Sequence, residues 1–169
     1  MKKEDEYRSF ALLQTLKINE EKLARPQKDM MKFIKQKQAE LGCAVTLTFK
    51  HEPANRTVAE KIFEKYIRQL NERVYRRAYR SGQAKLKLFA VSEDKKGKGR
   101  LHYHCAIEKP PHISNSKFER LCRKCWFRAN NGFWSKTEIK PCDDGWIEYS
   151  LKELTLTNTD IISEHTYLG

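Results

Sequence analysis

The spacing of apolar residues along the chain switches between a helical and a strand period. From Val58 to Val74 they recur at every fourth position within residues 57–80, which predicts an amphipathic helix. Over residues 43–49 they alternate with threonines, which predicts a half-buried strand. The same reasoning predicts helices over residues 5–17, 27–41, 115–130 and 144–154 and strands over residues 85–93, 100–108 and 133–139.

After the N-terminal helices, the predicted order of elements is β-α-β-β-α-β-α. This order matches the split βαβ, or ferredoxin-like, pattern with one added helix. The predicted fold class is therefore α+β, with an antiparallel sheet and helices packed on one face. Residues 1–42 would form an N-terminal helical segment, and residues 43–169 would complete one compact domain. Because this pattern serves binding modules and nucleases alike, a function has to be inferred from a site.

The charge of the chain is strongly positive and unevenly distributed. Among 169 residues, 34 Lys and Arg stand against 22 Asp and Glu, which gives a formal charge of +12. Residues 43–112 hold 16 of the basic and 7 of the acidic residues, so +9 lies in the middle of the chain. With 39% hydrophobic residues the chain can form a core, which excludes a wholly disordered basic tail. A concentrated positive charge predicts an anionic partner such as a nucleic acid.

Other features of the composition restrict where the protein acts. No run of about 18 apolar residues occurs, and none follows Met1, so we expect neither a membrane span nor a signal peptide. We expect a cytoplasmic protein, or a nuclear one if it comes from a eukaryotic virus. Five cysteines without a secretory signal predict reduced thiols. Cys122 and Cys125 lie within a predicted helix with no second cysteine pair, which favours structural thiols over a zinc site.

A candidate metal site lies on the predicted hairpin. His102 and His104 are two residues apart on a strand, so they project from the same face. If the hairpin turns between Gly97 and Lys98, Glu93 lies directly opposite His102, with Cβ atoms roughly 4.5–5.5 Å apart. Two imidazoles and one carboxylate with open positions suit Mg²⁺ or Mn²⁺ acting as a Lewis acid on a phosphate. The alternative is that these are ordinary surface histidines and a solvated carboxylate.

A candidate nucleophile lies on the last predicted helix. Tyr149 and Lys152 are three residues apart and share a helix face. A phenol with an unperturbed pKa of about 10 is a poor nucleophile at neutral pH, and a nearby ammonium favours its phenolate form. Lys152 can provide that ammonium or hold a phosphate. The alternative is a half-buried tyrosine beside a surface lysine.

Together the two clusters resemble the HUH endonucleases, in the replication initiator (Rep) branch that has a single catalytic tyrosine. The segment His102-Tyr-His104 is similar to the His-hydrophobic-His motif, and Tyr149-Ser-Leu-Lys152 is similar to the Tyr-x-x-Lys motif. The strand over residues 44–49 looks like the first motif of that family. The three segments follow one another in the Rep order, and the resemblance covers residues 43–154.

The resemblance implies an endonuclease that nicks and joins single-stranded DNA through a 5′-phosphotyrosine intermediate. Such an enzyme starts rolling-circle replication of a plasmid, phage or virus at a particular sequence or hairpin. The resemblance implies that Tyr149 is the nucleophile, that Lys152 assists it, and that Glu93, His102 and His104 hold Mg²⁺ or Mn²⁺. The implied partners are single-stranded DNA with an adjacent hairpin and a separate helicase, because the sequence contains no phosphate-binding loop of its own. Residues 43–169 would then be the nuclease domain.

Basic side chains around the predicted hairpin and on the preceding helix are candidate phosphate contacts. They are Lys85, Lys87, Lys95, Lys96, Lys98, Arg100, Arg76 and Arg80. Alternation along the strands would also place Thr46 and Thr48 on the sheet face that carries His102. Two other functions stay open. One is a non-catalytic module that binds single-stranded nucleic acid, and the other is an HUH transposase.

Overall fold

The computed structural model describes residues 25–37, 40–94, 100–142, 146–150 and 161–169. Its helices are α1 (Arg25–Lys37), α2 (Arg56–Tyr75), α3 (Arg77–Arg80), α4 (Asn115–Ala129) and α5 (Trp146–Ser150). Its strands are β1 (Cys43–Thr48), β2 (Leu88–Glu93), β3 (His102–Ile107) and β4 (Thr137–Pro141). None of these helices is long and apolar enough to cross a membrane. The helix predicted over residues 5–17 lies outside the described residues.

The four strands form one sheet in the order β2-β3-β1-β4. Every neighbouring pair is antiparallel. Helix α2 connects β1 to β2 and helix α4 connects β3 to β4, so the order of elements is that of the split βαβ pattern. The predicted α+β fold with an antiparallel sheet is confirmed.

The main core lies between one face of the sheet and helices α2 and α4. The four-residue spacing in α2 buries one side of that helix, including Phe63, against the sheet. The Phe63 ring stacks on Tyr103 of β3, with ring centroids 4.2 Å apart and planes 6° apart. Trp126 of α4 meets Phe49 edge-on, with centroids 5.1 Å apart. Cys122 and Cys125 of α4 are buried in this core.

A second, smaller core covers part of the opposite face of the sheet. Ile34 of α1 packs there on Phe89 and Val91 of β2, together with Ile161 and Leu168 near the C-terminus. Residues 161–169 also run antiparallel beside β2 and bond to its backbone, for example through an N–H···O bond of 2.7 Å from Tyr167 to Leu88. This C-terminal segment covers an edge strand whose N–H and C=O groups would otherwise face water.

Some predicted element bounds were wrong, for identifiable reasons. The single helix predicted over residues 57–80 breaks at Arg76, whose φ is 52°. The strand predicted from residue 85 begins at Leu88, because the amides of the two preceding residues bond to the side chains of Asn71 and Glu108. The strand predicted over residues 133–139 begins at Thr137, after a turn with positive φ at residues 131 and 132.

Phe63→Ala tests the assigned core. This change should lower the free energy of unfolding by about 3–5 kcal/mol, because it removes a fully buried ring and leaves a cavity beside Tyr103. Val58→Ala, on the exposed side of the same helix, should change it by less than about 0.5 kcal/mol. Urea unfolding followed by circular dichroism measures both variants. Equal losses would contradict the core described above.

Candidate functional site

The register of β3 with its two neighbours brings three polar side chains together on the second face of the sheet. Glu93 at the end of β2 pairs with His102 of β3, which is the pairing predicted from the sequence. His104 lies one pleat further along β3 and pairs with Thr46 of β1. Because side chains alternate along a strand, the histidines share a face while Tyr103 between them points into the main core.

The ligand atoms of Glu93, His102 and His104 converge on one point. Glu93 Oε2 lies 3.1 Å from His104 Nε2 and 3.5 Å from His102 Nε2. The two Nε2 atoms are 3.1 Å apart. Glu93 is only 5% exposed and His104 only 8% exposed. A buried carboxylate requires a positive partner, which here can be an imidazolium or a metal cation. We call these three residues the triad.

The far nitrogens of both imidazoles also have partners. His102 Nδ1 lies 3.0 Å from the carbonyl oxygen of Arg100, which can only accept a hydrogen bond, so Nδ1 is the donor. His104 Nδ1 lies 3.2 Å from Thr46 Oγ1. When an Nδ1–H is engaged in this way, the Nε2 of the neutral ring directs its lone pair toward the centre of the triad.

These distances fit a divalent metal ion. Three lone-pair atoms this close together repel one another unless a cation lies between them. Ligands in neighbouring positions of an octahedral ion, with bonds of about 2.1 Å, are about 3 Å apart. The separations of 3.1–3.5 Å in the triad are close to that value. The triad is therefore a group that can hold a metal ion with coordination positions left open.

The aromatic rings of α5 lie directly beside the triad. The centroid of the Tyr149 ring is 5.8 Å from that of His104, and the two planes are 86° apart. Trp146, three residues earlier on the same short helix, lies 6.3 Å from His104 and was not predicted as part of the site. Tyr149 is 37% exposed, so a substrate can reach it. Lys152 lies outside the described residues.

Tyr103 is a second tyrosine close to the histidines in sequence, but its hydroxyl lies on the other side of the sheet. It donates a hydrogen bond of 2.9 Å to Glu60 on α2. Burial, with Glu60 alongside, raises the pKa of Tyr103 well above its usual value. This hydroxyl therefore stays protonated and is unsuited to act as a nucleophile.

The predicted phosphate contacts fall into two groups. Arg100 is exposed at the start of β3, and its carbonyl oxygen bonds to a triad histidine. Three turn lysines, Lys95, Lys96 and Lys98, lie outside the described residues. Where they contact DNA stays a prediction.

The other four lie at the far end of the sheet. Lys87 forms an ion pair with Glu40, and Lys85 Nζ lies 4.4 Å from the centroid of the Tyr167 ring. The residue after Lys87 opens β2, five residues or roughly 17 Å along the strand from Glu93. Arg76 and Arg80 follow the C-terminal end of α2, on the opposite face of the sheet from the triad. The structure does not bring these four side chains to the triad.

A further polar cluster was missed by the sequence reasoning. Glu60 of α2 accepts a hydrogen bond of 2.8 Å from Ser163, and its Oε2 lies 3.8 Å from His165 Nε2. With Glu164, these residues form a second group of possible metal ligands. Because Glu60 and Ser163 are about a hundred residues apart in sequence, no local pattern could have paired them.

Comparisons with known proteins agree with the location of the site. The family model for the replication-associated protein ORF2 matches residues 42–158, more than two-thirds of the chain. The matched segment includes the whole triad, Tyr149 and Lys152. No curated protein and no solved structure matches the chain.

Thr46→Val tests whether the partner of His104 supports metal binding. The variant keeps the shape of the side chain and removes the oxygen beside His104 Nδ1, so we expect Mn²⁺ to bind about 10- to 100-fold more weakly. Thr48→Val is the matched control, because its hydroxyl donates to the Lys136 carbonyl oxygen. Isothermal titration calorimetry measures the affinity. Unchanged affinity in the Thr46 variant would contradict this role.

Proposed function

The chain belongs to the replication-associated protein ORF2 family, a family of rolling-circle replication initiators, and we propose that it is an HUH endonuclease that nicks and joins single-stranded DNA. One observation carries the proposal: the ring of Tyr149 lies beside the triad, with its centroid 5.8 Å from that of His104. Transfer of a phosphoryl group to a tyrosine needs a nucleophile and a positive charge at one phosphate. Tyr149 and the triad supply these two requirements in adjacent positions.

The triad would hold the cofactor, Mg²⁺ or Mn²⁺. Such an ion, when bound, polarises the scissile phosphate and stabilises the charge that develops on its oxygens. The protein contributes a prearranged ligand set. Glu93 and His104 are buried, and the Nδ1 atoms of both histidines are engaged by other groups, so the ligands need little rearrangement before the reaction.

Cleavage would exchange one phosphate ester for another. The Tyr149 hydroxyl oxygen attacks the phosphorus, and the bond from phosphorus to the 3′ oxygen of the preceding nucleotide breaks. The new bond is a 5′-phosphotyrosine link, and the leaving oxygen takes up a proton as a 3′-hydroxyl. Lys152, three residues after Tyr149, would favour the phenolate or hold the phosphate. Because the energy of the ester is kept, attack by a 3′-hydroxyl rejoins the strand without ATP.

The substrate would be single-stranded DNA with an adjacent hairpin, at an origin that a separate helicase unwinds. Arg100 and the turn lysines Lys95, Lys96 and Lys98 flank two triad residues in sequence, which supports them as contacts to the phosphates near the cut. Lys85, Lys87, Arg76 and Arg80 would meet a different stretch of the strand. Contacts of this kind make binding weaken as the salt concentration rises.

Tyr149→Phe tests the nucleophile. Incubation of the wild-type protein with hairpin-bearing single strands and Mn²⁺ should produce a covalent protein–DNA adduct on a denaturing gel. The variant should lower adduct formation at least about 1,000-fold, because phenylalanine has no oxygen with which to attack. Tyr79→Phe, on α3 and away from the triad, should leave it unchanged. An undiminished adduct with Tyr149→Phe would refute the assignment.

Metal removal tests the triad in the same assay. Dialysis against EDTA should abolish the adduct, and added Mn²⁺ should restore it. Glu93→Gln should shift the Mn²⁺ needed for half-maximal adduct about 10-fold or more upward, because the amide oxygen is a much weaker ligand than the carboxylate. Adduct formation that ignores EDTA would contradict the metal role. Binding of the strand with no adduct under any condition would instead indicate a non-catalytic binding module.

A further inference from the structure

The loop between α4 and β4 exposes two neighbouring aromatic side chains. Phe133 is 45% exposed and Trp134 is 71% exposed, the largest exposed fraction among the large apolar side chains in the described residues. A single exposed aromatic residue is common, but two in succession form a local apolar surface. Such a surface is typical of a site that contacts another molecule.

The backbone of this loop is held in place by hydrogen bonds. The Trp126 indole N–H lies 2.8 Å from the carbonyl oxygen of Thr48 and 3.0 Å from Ser135 Oγ. Gly132, at φ 77°, donates its N–H to the Phe127 carbonyl oxygen at 2.8 Å. Only glycine adopts this φ at no steric cost. The exposure of the two rings is therefore built into the fold, and binding there needs little ordering of the loop.

Two further rings support the exposed pair from beneath. Phe133 meets His51 of the β1–α2 loop, with centroids 4.8 Å apart. Trp134 packs against Phe127 of α4, with centroids 4.4 Å apart and planes 31° apart. We call His51, Phe127, Phe133 and Trp134 the aromatic platform. Flat rings that are supported on one side and open to solvent on the other are surfaces on which unpaired nucleobases stack.

The platform lies at the same end of the sheet as the triad. Thr48 is the link, since it pairs with His102 across β1 and β3 and its N–H and hydroxyl both bond to the Lys136 carbonyl oxygen. Lys136 leads directly out of the platform loop into β4. Two strand spacings, roughly 10 Å, separate the backbone of Lys136 from that of His102. A strand of DNA can therefore reach both places at once.

The charges around the platform favour a nucleic acid over a protein or lipid partner. The side chains of Lys50, Arg128 and Lys136 are exposed on the segments that border it. Residues 130–135 of the loop include no acidic residue. Basic groups beside stacked rings provide the two contacts that an unpaired strand needs, one for its phosphates and one for its bases.

We propose that the aromatic platform binds unpaired bases of the same DNA strand whose phosphate enters the triad. This proposal rests on the proposed function and extends it: stacking on Phe133 and Trp134 would hold the strand a few nucleotides from the cut. The recognition is by stacking, so it requires bases without requiring a particular sequence. It predicts a contribution to binding that is independent of the metal ion and of Tyr149.

The test compares a fluorescein-labelled oligothymidine of 20 nucleotides with an abasic strand of equal length. Binding is measured by fluorescence anisotropy in EDTA, so that cleavage does not interfere. Phe133→Ala and Trp134→Ala should each weaken oligothymidine binding about 5- to 100-fold and leave the weaker binding of the abasic strand unchanged. Phe33→Ala, which removes an exposed ring on α1, is the matched control and should leave both affinities unchanged.

A conservative variant separates stacking from folding. Phe133→Tyr keeps a flat ring and should retain affinity within about twofold of the wild type. Unchanged oligothymidine affinity in both alanine variants, or no binding by the wild type, would overturn the proposal. Failure of the proposed function would appear separately, as a missing adduct in the cleavage assay. Base-dependent binding through Phe133 and Trp134 would still stand in that case.

Discussion

The antiparallel register of β3 with β2 and β1 is the constraint on which the candidate site depends. It places Glu93 opposite His102 and Thr46 opposite His104, so two neighbouring strands complete what β3 begins. A shift of one residue would turn both histidines into the main core and expose Tyr103. The stack of Tyr103 on Phe63 opposes such a shift, because it would expose a fully buried ring. The apolar face thus determines the geometry of the polar one.

The site combines a buried ligand set with an accessible nucleophile. Glu93 and His104 are held by strands and by partners behind them, which suits a group that has to keep its geometry before a metal ion and a substrate arrive. Tyr149 lies on a short helix at the surface, where a DNA strand can approach it. The divided arrangement suits a reaction in which the tyrosine, and not the ligand set, becomes covalently joined to the substrate.

Two structural supports of the site come from distant parts of the chain. The C-terminal segment pairs with β2, and the Ile161 carbonyl oxygen accepts the N–H of the residue just before Glu93 at 2.7 Å. On the other side, Trp126 of α4 joins the end of β1 to the loop that carries the aromatic platform. Both supports act on the ends of the strands nearest the triad, so the sheet end that carries the chemistry is held from two sides.

Local sequence patterns were sufficient for the central part of the site. The alternation of His102 and His104, and the symmetry of a hairpin that pairs Glu93 with His102, involve residues close together along the chain, where geometry follows from strand period alone. The fold class followed for the same reason, since each element has its own period. Element ends were less predictable, because side-chain hydrogen bonds such as that from Leu86 N–H to Asn71 end a strand without a periodic signal.

Tertiary structure alone decided the contacts between distant segments. Thr46 meets His104 across 58 residues of sequence, and Tyr149 reaches the same imidazole from a helix after β4. Phe133 was predicted to start a strand, because aromatic residues favour strands, yet the turn before it makes it part of an exposed loop. The sequence by itself thus determined which side chains share a strand face. Packing determined which faces meet, because burial of apolar surface acts on the whole chain at once.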